Sequence, residues 1–260
     1  MIAMQPLPYD CHTHTTFSDG HNSPEENVRA AQACGLRCVA LTDHVLPETP
    51  RQELADRVTA IQKVAQTSNI AVLPGAEGAI LDTEGSVSVT GQDAQMVKLV
   101  LAGIGARTRS VGQDPPASMR RYADNILAAL QNAASNPAVD VIAHPFGLGR
   151  LPAVITPGQF ATGSLRQIAR SMYDSNVAFE IDNQVYGWYP QMPIDEFTDE
   201  YTRVLRVFSQ EGVKFVVGSN AHSAGAVGNL RYCRHLMREA AIELSQLVDL
   251  ERLAAVRQQT

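Results

Sequence analysis

Residues 9–20 read YDCHTHTTFSDG. A short apolar and aromatic start runs into a His-x-His pair and then into a polar loop carrying Asp19 and Gly20, which is the form of a buried strand ending in a loop. In an extended chain residues i and i+2 point the same way, so His12 and His14 share one face and Thr13 takes the other. Six more runs repeat the form: CVALTDH (38–44), IAVLPGAE (70–77), KLVLAGIG (98–105), VDVIAHPF (139–146), VAFEIDN (177–183) and KFVVGSNAH (214–222). Helical patterns lie between them. SPEENVRAAQACG opens with Ser23 as cap, Pro24 in the first turn and acidic residues near the positive end, and closes on Gly35. ASMRRYADNILAALQNAA and IDEFTDEYTRVLRVFSQEG place apolar residues every three or four positions. Strand then helix, about seven times over, predicts an α/β fold with a parallel sheet, and the even spacing favours closure into a seven-stranded TIM-like barrel.

The whole-chain properties narrow the function. A length of 260 residues without linker, repeat or low-complexity tract predicts a single domain over 1–260. A net charge of −6 disfavours duplex nucleic acid and anionic membranes, which need a basic face, and favours a small-molecule substrate. The start, MIAMQPLPYD, lacks a basic segment followed by an apolar stretch, and no run approaches the roughly 18 apolar residues of a spanning helix, so the expectation is a soluble, cytoplasmic protein. Cys11, Cys34, Cys38 and Cys233 show no paired spacing and are expected to be buried, reduced thiols. The oligomeric state is not indicated.

The polar residues fall in one register of this frame. His12 and His14 end the first run, His44 the second, Glu77 the third, His144 the fifth, and Asn220 and His222 the seventh. The carboxyl ends of parallel barrel strands converge on one face, so five of the seven histidines would meet around one pocket. Imidazoles together with carboxylates suit zinc, manganese or iron, and a carboxylate such as Glu77 can bridge two ions. The loop YGWYPQMP (186–193) is expected either to wall the pocket or to pack as a surface loop. Asp43 and Asp182 are expected to orient neighbours, and His21 and His235 to be ordinary surface or core histidines.

YDCHTHTTFSDG, ALTDH, GAE, IAHP, FEIDN and GSNAH followed by VG together resemble, in order, the motifs of the PHP family, named for polymerase and histidinol phosphatase domains. The resemblance implies a distorted seven-stranded barrel whose pocket holds up to three divalent metals and hydrolyses phosphoesters. By position it implies metal ligands at His12, His14, Asp19, His44, Glu77, His144, Asn220 and His222. One ion would take His12, His14, Glu77 and residue 220; a second Glu77 and His144; a third Asp19, His44 and His222. Two departures stand out. The family has a histidine after its fourth strand, where this chain places Gly105 and Ala106, and Asn220 stands where the family has aspartate. One to three ions, and fewer than three held tightly, are therefore expected.

The function this implies is hydrolysis of a phosphoester in a small phosphorylated metabolite. The nucleophile would be a hydroxide generated on the metal rather than a side chain. Arg107, Arg109 and Arg150 are the phosphate-binding candidates. Two alternatives stay open: a degenerate barrel that binds metal or a phosphorylated ligand without turnover, and a metal-dependent hydrolase of a non-phosphate bond. Restoring histidine at 105 or aspartate at 220 is expected to raise metal content.

Overall fold

The computed structural model describes residues 7–252. The strands are β1 (Tyr9–Asp10), β2 (Cys38–Leu41), β3 (His44–Val45), β4 (Ala71–Ala79), β5 (Leu99–Gly103), β6 (Val141–Ile142), β7 (Ala178–Asp182) and β8 (Phe215–Gly218). All ladder pairs are parallel, in the order β1-β2-β4-β5-β6-β7-β8, with β3 also on β4. The first and last strands meet as well. Cys11 N–H donates to Val217 O at 2.9 Å, His14 N–H donates to Ala221 O at 2.8 Å, and Thr13 bridges Ala221 in parallel. The result is the expected seven-stranded barrel, nearly closed. The run 38–44 is broken: β2 and β3 pair successive parts of β4, and the break falls at Thr42 and Asp43, whose side chains bond to the first loop instead.

The helices are α1 (Pro24–Ala33), α2 (Arg51–Thr67), α3 (Gly91–Ala94), α4 (Met119–Ala133), α5 (Thr162–Asp174), α6 (Ile194–Gln210) and α7 (Arg231–Ala240). Ser23 caps α1 as its sequence indicated, and Glu26 returns the bond to the Ser23 N–H at 2.8 Å. That cap places Asn27, whose amide donates to His14 O at 2.8 Å and so ties α1 to the first strand end. On the other side Phe179 of β7 packs edge-on against Phe208 of α6, centroids 4.8 Å apart, with Phe215 of β8 at 5.8 Å. All three are fully buried, and removing any one ring would cost about 3–5 kcal/mol. Cys11, Cys38 and Cys233 are buried free thiols, whereas Cys34, at the open end of α1, is exposed, contrary to expectation. Among the described residues no helix is long and apolar enough to cross a membrane.

Candidate metal centre

The candidate ligands other than Asp19, which lies in the loop after β1, sit within strands or just beyond their ends. His12 and His14 follow β1, His44 opens β3, Glu77 lies within β4 beside it, His144 follows β6, and Asn220 and His222 follow β8. Glu77 is the hub. Its Oε2 lies 3.2 Å from His12 Nε2, 3.4 Å from His14 Nε2 and 3.0 Å from His44 Nδ1, and its Oε1 lies 3.0 Å from His144 Nε2. Asp19 is the second hub, with His14 Nδ1 at 3.5 Å, His44 Nε2 at 3.4 Å and His222 Nε2 at 3.3 Å. His14 thus faces both carboxylates, one with each ring nitrogen.

The electrostatics follow from this crowding. Burial alone would raise the Glu77 carboxyl, but His12, His144 and His44 outweigh it and hold the group well below the usual carboxylate range. Burial, with His12, His44 and His222 nearby, pushes the His14 imidazole well down despite Glu77, which keeps the ring in its neutral, metal-ligating form. Buried His14 Nδ1 has no hydrogen-bond partner among the described residues. An orphaned imidazole nitrogen beside Asp19, His44 and His222, all with donor atoms within 4.8 Å of one another, is the arrangement a divalent ion completes. His12, His14 and Glu77 form a second such group. The residues fit the metals that the sequence implied.

Behind the ligands lies a layer that the sequence only partly disclosed. Glu180 Oε1 lies 2.8 Å from His12 Nδ1, and Glu180 Oε2 accepts the His144 N–H at 2.7 Å. One buried carboxylate therefore orients the His12 ring, directing its Nε2 at Glu77, and anchors the His144 backbone. Gly218 makes room for this: a Cβ there would overlap Glu180 and stand 2.7 Å from His12 Cβ. Asp182 accepts from the Asn220 amide NH2 at 2.9 Å, which leaves the amide oxygen as the atom Asn220 can offer a metal. Burial and then the Glu180 charge push the Asp182 carboxyl up to about 6. His144 (φ 34°) and Asn220 (φ 51°) are both left-handed, which costs about 1–3 kcal/mol each and is held by these bonds. Asp43 fixes the first loop, accepting from Thr15 N–H and Thr15 O–H at 2.8 Å and from Ser18 O–H at 2.7 Å, so that Asp19 reaches back.

The cluster opens into a cavity of about 440 Å³ lined also by Gly105, Ala106, Arg107, Arg150 and Trp188. Arg107 is held by both oxygens of Glu48, at 2.6 and 3.3 Å, and Arg150 stacks over Trp188 at 4.3 Å. Arg109 does not line the cavity; it pairs with Asp82 at 3.2 Å. Asn183 does not line this cavity, and its amide oxygen accepts the Tyr232 N–H at the start of α7. Trp188, from the aromatic loop, does form the wall, edge-on to His144 at 4.8 Å. His235 lies apart on α7 beside Arg238.

The PHP-domain family model matches residues 10–254. This chain belongs to the PHP family. A "Probable phosphatase" of Aliivibrio fischeri is 24% identical over 243 residues, covering 92% of this chain and 88% of the relative. Another, of a Thermoanaerobacter species, is 25% identical over 241 residues, covering 91% and 87%. Histidinol phosphate phosphatase from Lactococcus lactis, solved with zinc, L-histidinol and phosphate, superposes on this PHP domain with a TM-score of 0.68 at 17% identity, covering 92% of this chain and 95% of that one. At that identity the superposition speaks for the fold.

Proposed function

We propose that this chain hydrolyses a phosphate monoester of a small metabolite in the cavity above the Glu77–Asp19 cluster. The coarser statement, a metal-dependent phosphoesterase, comes with PHP membership and with near-full-length relatives that carry phosphatase names. The observation that carries the finer reading is a cluster of five imidazoles and two carboxylates that opens into a cavity which two arginines also line. Divalent ions held by His12, His14, Asp19, His44, Glu77, His144, Asn220 and His222 would supply water activation and positive charge toward the phosphoryl oxygens.

The side chains do the rest. Arg107 and Arg150 offer planar guanidinium forks to the non-bridging oxygens as charge spreads over them. The Arg107–Glu48 pair is exposed, and such pairs are worth about 0–1 kcal/mol, so the guanidinium transfers to a phosphate at little cost. Glu180 and Asp182 hold His12, His144 and Asn220 in place through the reaction. Water oxygen forms the new bond to phosphorus, the bond to the ester oxygen breaks, and the alcohol departs with the proton the water gave up. Two arginines favour this over hydrolysis of an uncharged amide, which has no dianion to hold.

Steady-state release of phosphate from p-nitrophenyl phosphate tests the arginine roles. Arg107→Ala is expected to raise KM about tenfold or more, consistent with loss of a charge-assisted contact. Equal KM in the variant and the parent would remove Arg107 from the reading.

A further inference from the structure

A second cavity, of about 310 Å³, lies beyond the Arg150–Trp188 pair and shares both residues with the first. Ser219 lines the second and its neighbour Asn220 lines the first, so the two meet along β8's end as well as at the cation–π pair. The second cavity is walled by three amides and a phenol, from Asn183, Gln184, Asn229 and Tyr186, while Ser219 also lines it but turns its hydroxyl inward to His12 O at 3.5 Å. Their existing bonds determine what they offer. Asn183 gives its amide oxygen to the Tyr232 N–H at 2.8 Å, leaving its NH2 as donor. Gln184 spends its NH2 on the carbonyls of Ser219 and Asn220 at 3.0 and 2.7 Å, leaving its amide oxygen as acceptor. The wall thus offers both a donor and an acceptor without a carboxylate among the lining residues, and the one full charge is the shared Arg150.

We propose that this second cavity is the subsite for the alcohol part of the substrate, and that it takes an uncharged polyhydroxy group such as a sugar or polyol. The assignment rests on the phosphomonoester reading above. A hydroxyl both donates and accepts, so a row of hydroxyls matches mixed amide and hydroxyl walls. An ammonium group would need a carboxylate here to offset its desolvation. The phosphoryl group sits at the metal cluster with Arg107 and Arg150, and the alcohol part passes beside the stacked Arg150–Trp188 pair that both cavities share.

Two readouts test this. A Cβ at Gly187, which lines the second cavity, has nothing within 4 Å, so Gly187→Leu fills the space without clashing at its own backbone. Wild-type protein is expected to hydrolyse glucose 6-phosphate with kcat/KM about tenfold or more above that for histidinol phosphate. The ratio for glucose 6-phosphate over methyl phosphate is expected to fall about tenfold in Gly187→Leu, with Asn229→Leu as a second variant acting the same way. Trp188 is the only tryptophan in the chain, so its fluorescence reports the subsite without turnover. Glucose 6-phosphate should alter that signal more than inorganic phosphate does in wild type, and the difference should vanish in Gly187→Leu. A preference for histidinol phosphate, or a fluorescence response no greater than that to inorganic phosphate, overturns the proposal. If no ester is hydrolysed, the phosphomonoester reading fails and the fluorescence comparison alone still decides whether the polyol subsite exists.

Discussion

Asn220 carries the sharpest consequence at the level of single residues. Its amide NH2 is bound to buried Asp182, so an aspartate at 220 would set two carboxylates against each other 2.9 Å apart. With Asp182 in place, the expected outcome is the opposite of the gain that the sequence alone suggests. Asn220→Asp alone should reduce bound zinc affinity about 10-fold or more, and Asp182→Asn combined with it should recover most of the loss. Zinc titration with circular dichroism on the three variants checks this; additive losses in the double variant would show that the pair does not act as a unit. The residues that gather in the cluster were readable because period-two alternation and strand-end placement are local properties. Glu180 was not, since its partners His12 and His144 stand 168 and 36 residues away. A signal did exist: two carboxylates within an otherwise apolar strand must find partners when buried.

At the level of elements, the end of β5 is where the cluster is open. Gly105 lines the first cavity, and a Cβ there meets nothing within 4 Å, so a larger side chain is sterically accepted. Gly105→His is expected to fold normally and to take up a further ion per chain, read by elemental analysis; unchanged metal content would place the vacated position elsewhere in the turn. The strand order and helix alternation were legible from apolar runs and caps. Strand lengths were not: β1 and β6 pair over only two residues each, although their runs are six and eight long. Beyond the paired positions those runs turn their backbone and side chains to the site, as His144 N–H does on Glu180. The arginines show the same limit. Glu48 lies 59 residues from Arg107, and nothing local in the sequence joins Arg109 to Asp82 rather than to the cavity.

Taken whole, the described residues form a nearly closed barrel that brings seven strand ends to one rim and leaves two adjoining cavities above it. Phosphoesterase activity at this rim depends, on our proposal, on divalent ions held by the imidazole and carboxylate cluster. The most direct measurement is elemental analysis of protein purified without chelator, paired with phosphate release from p-nitrophenyl phosphate before and after EDTA and after added manganese or zinc. Bound metal is expected, with release abolished by EDTA and restored by the ion, and with His44→Ala and His222→Ala variants that keep the fold but lose metal and release together. Full metal content in both variants, or release that EDTA leaves untouched, would contradict the proposal.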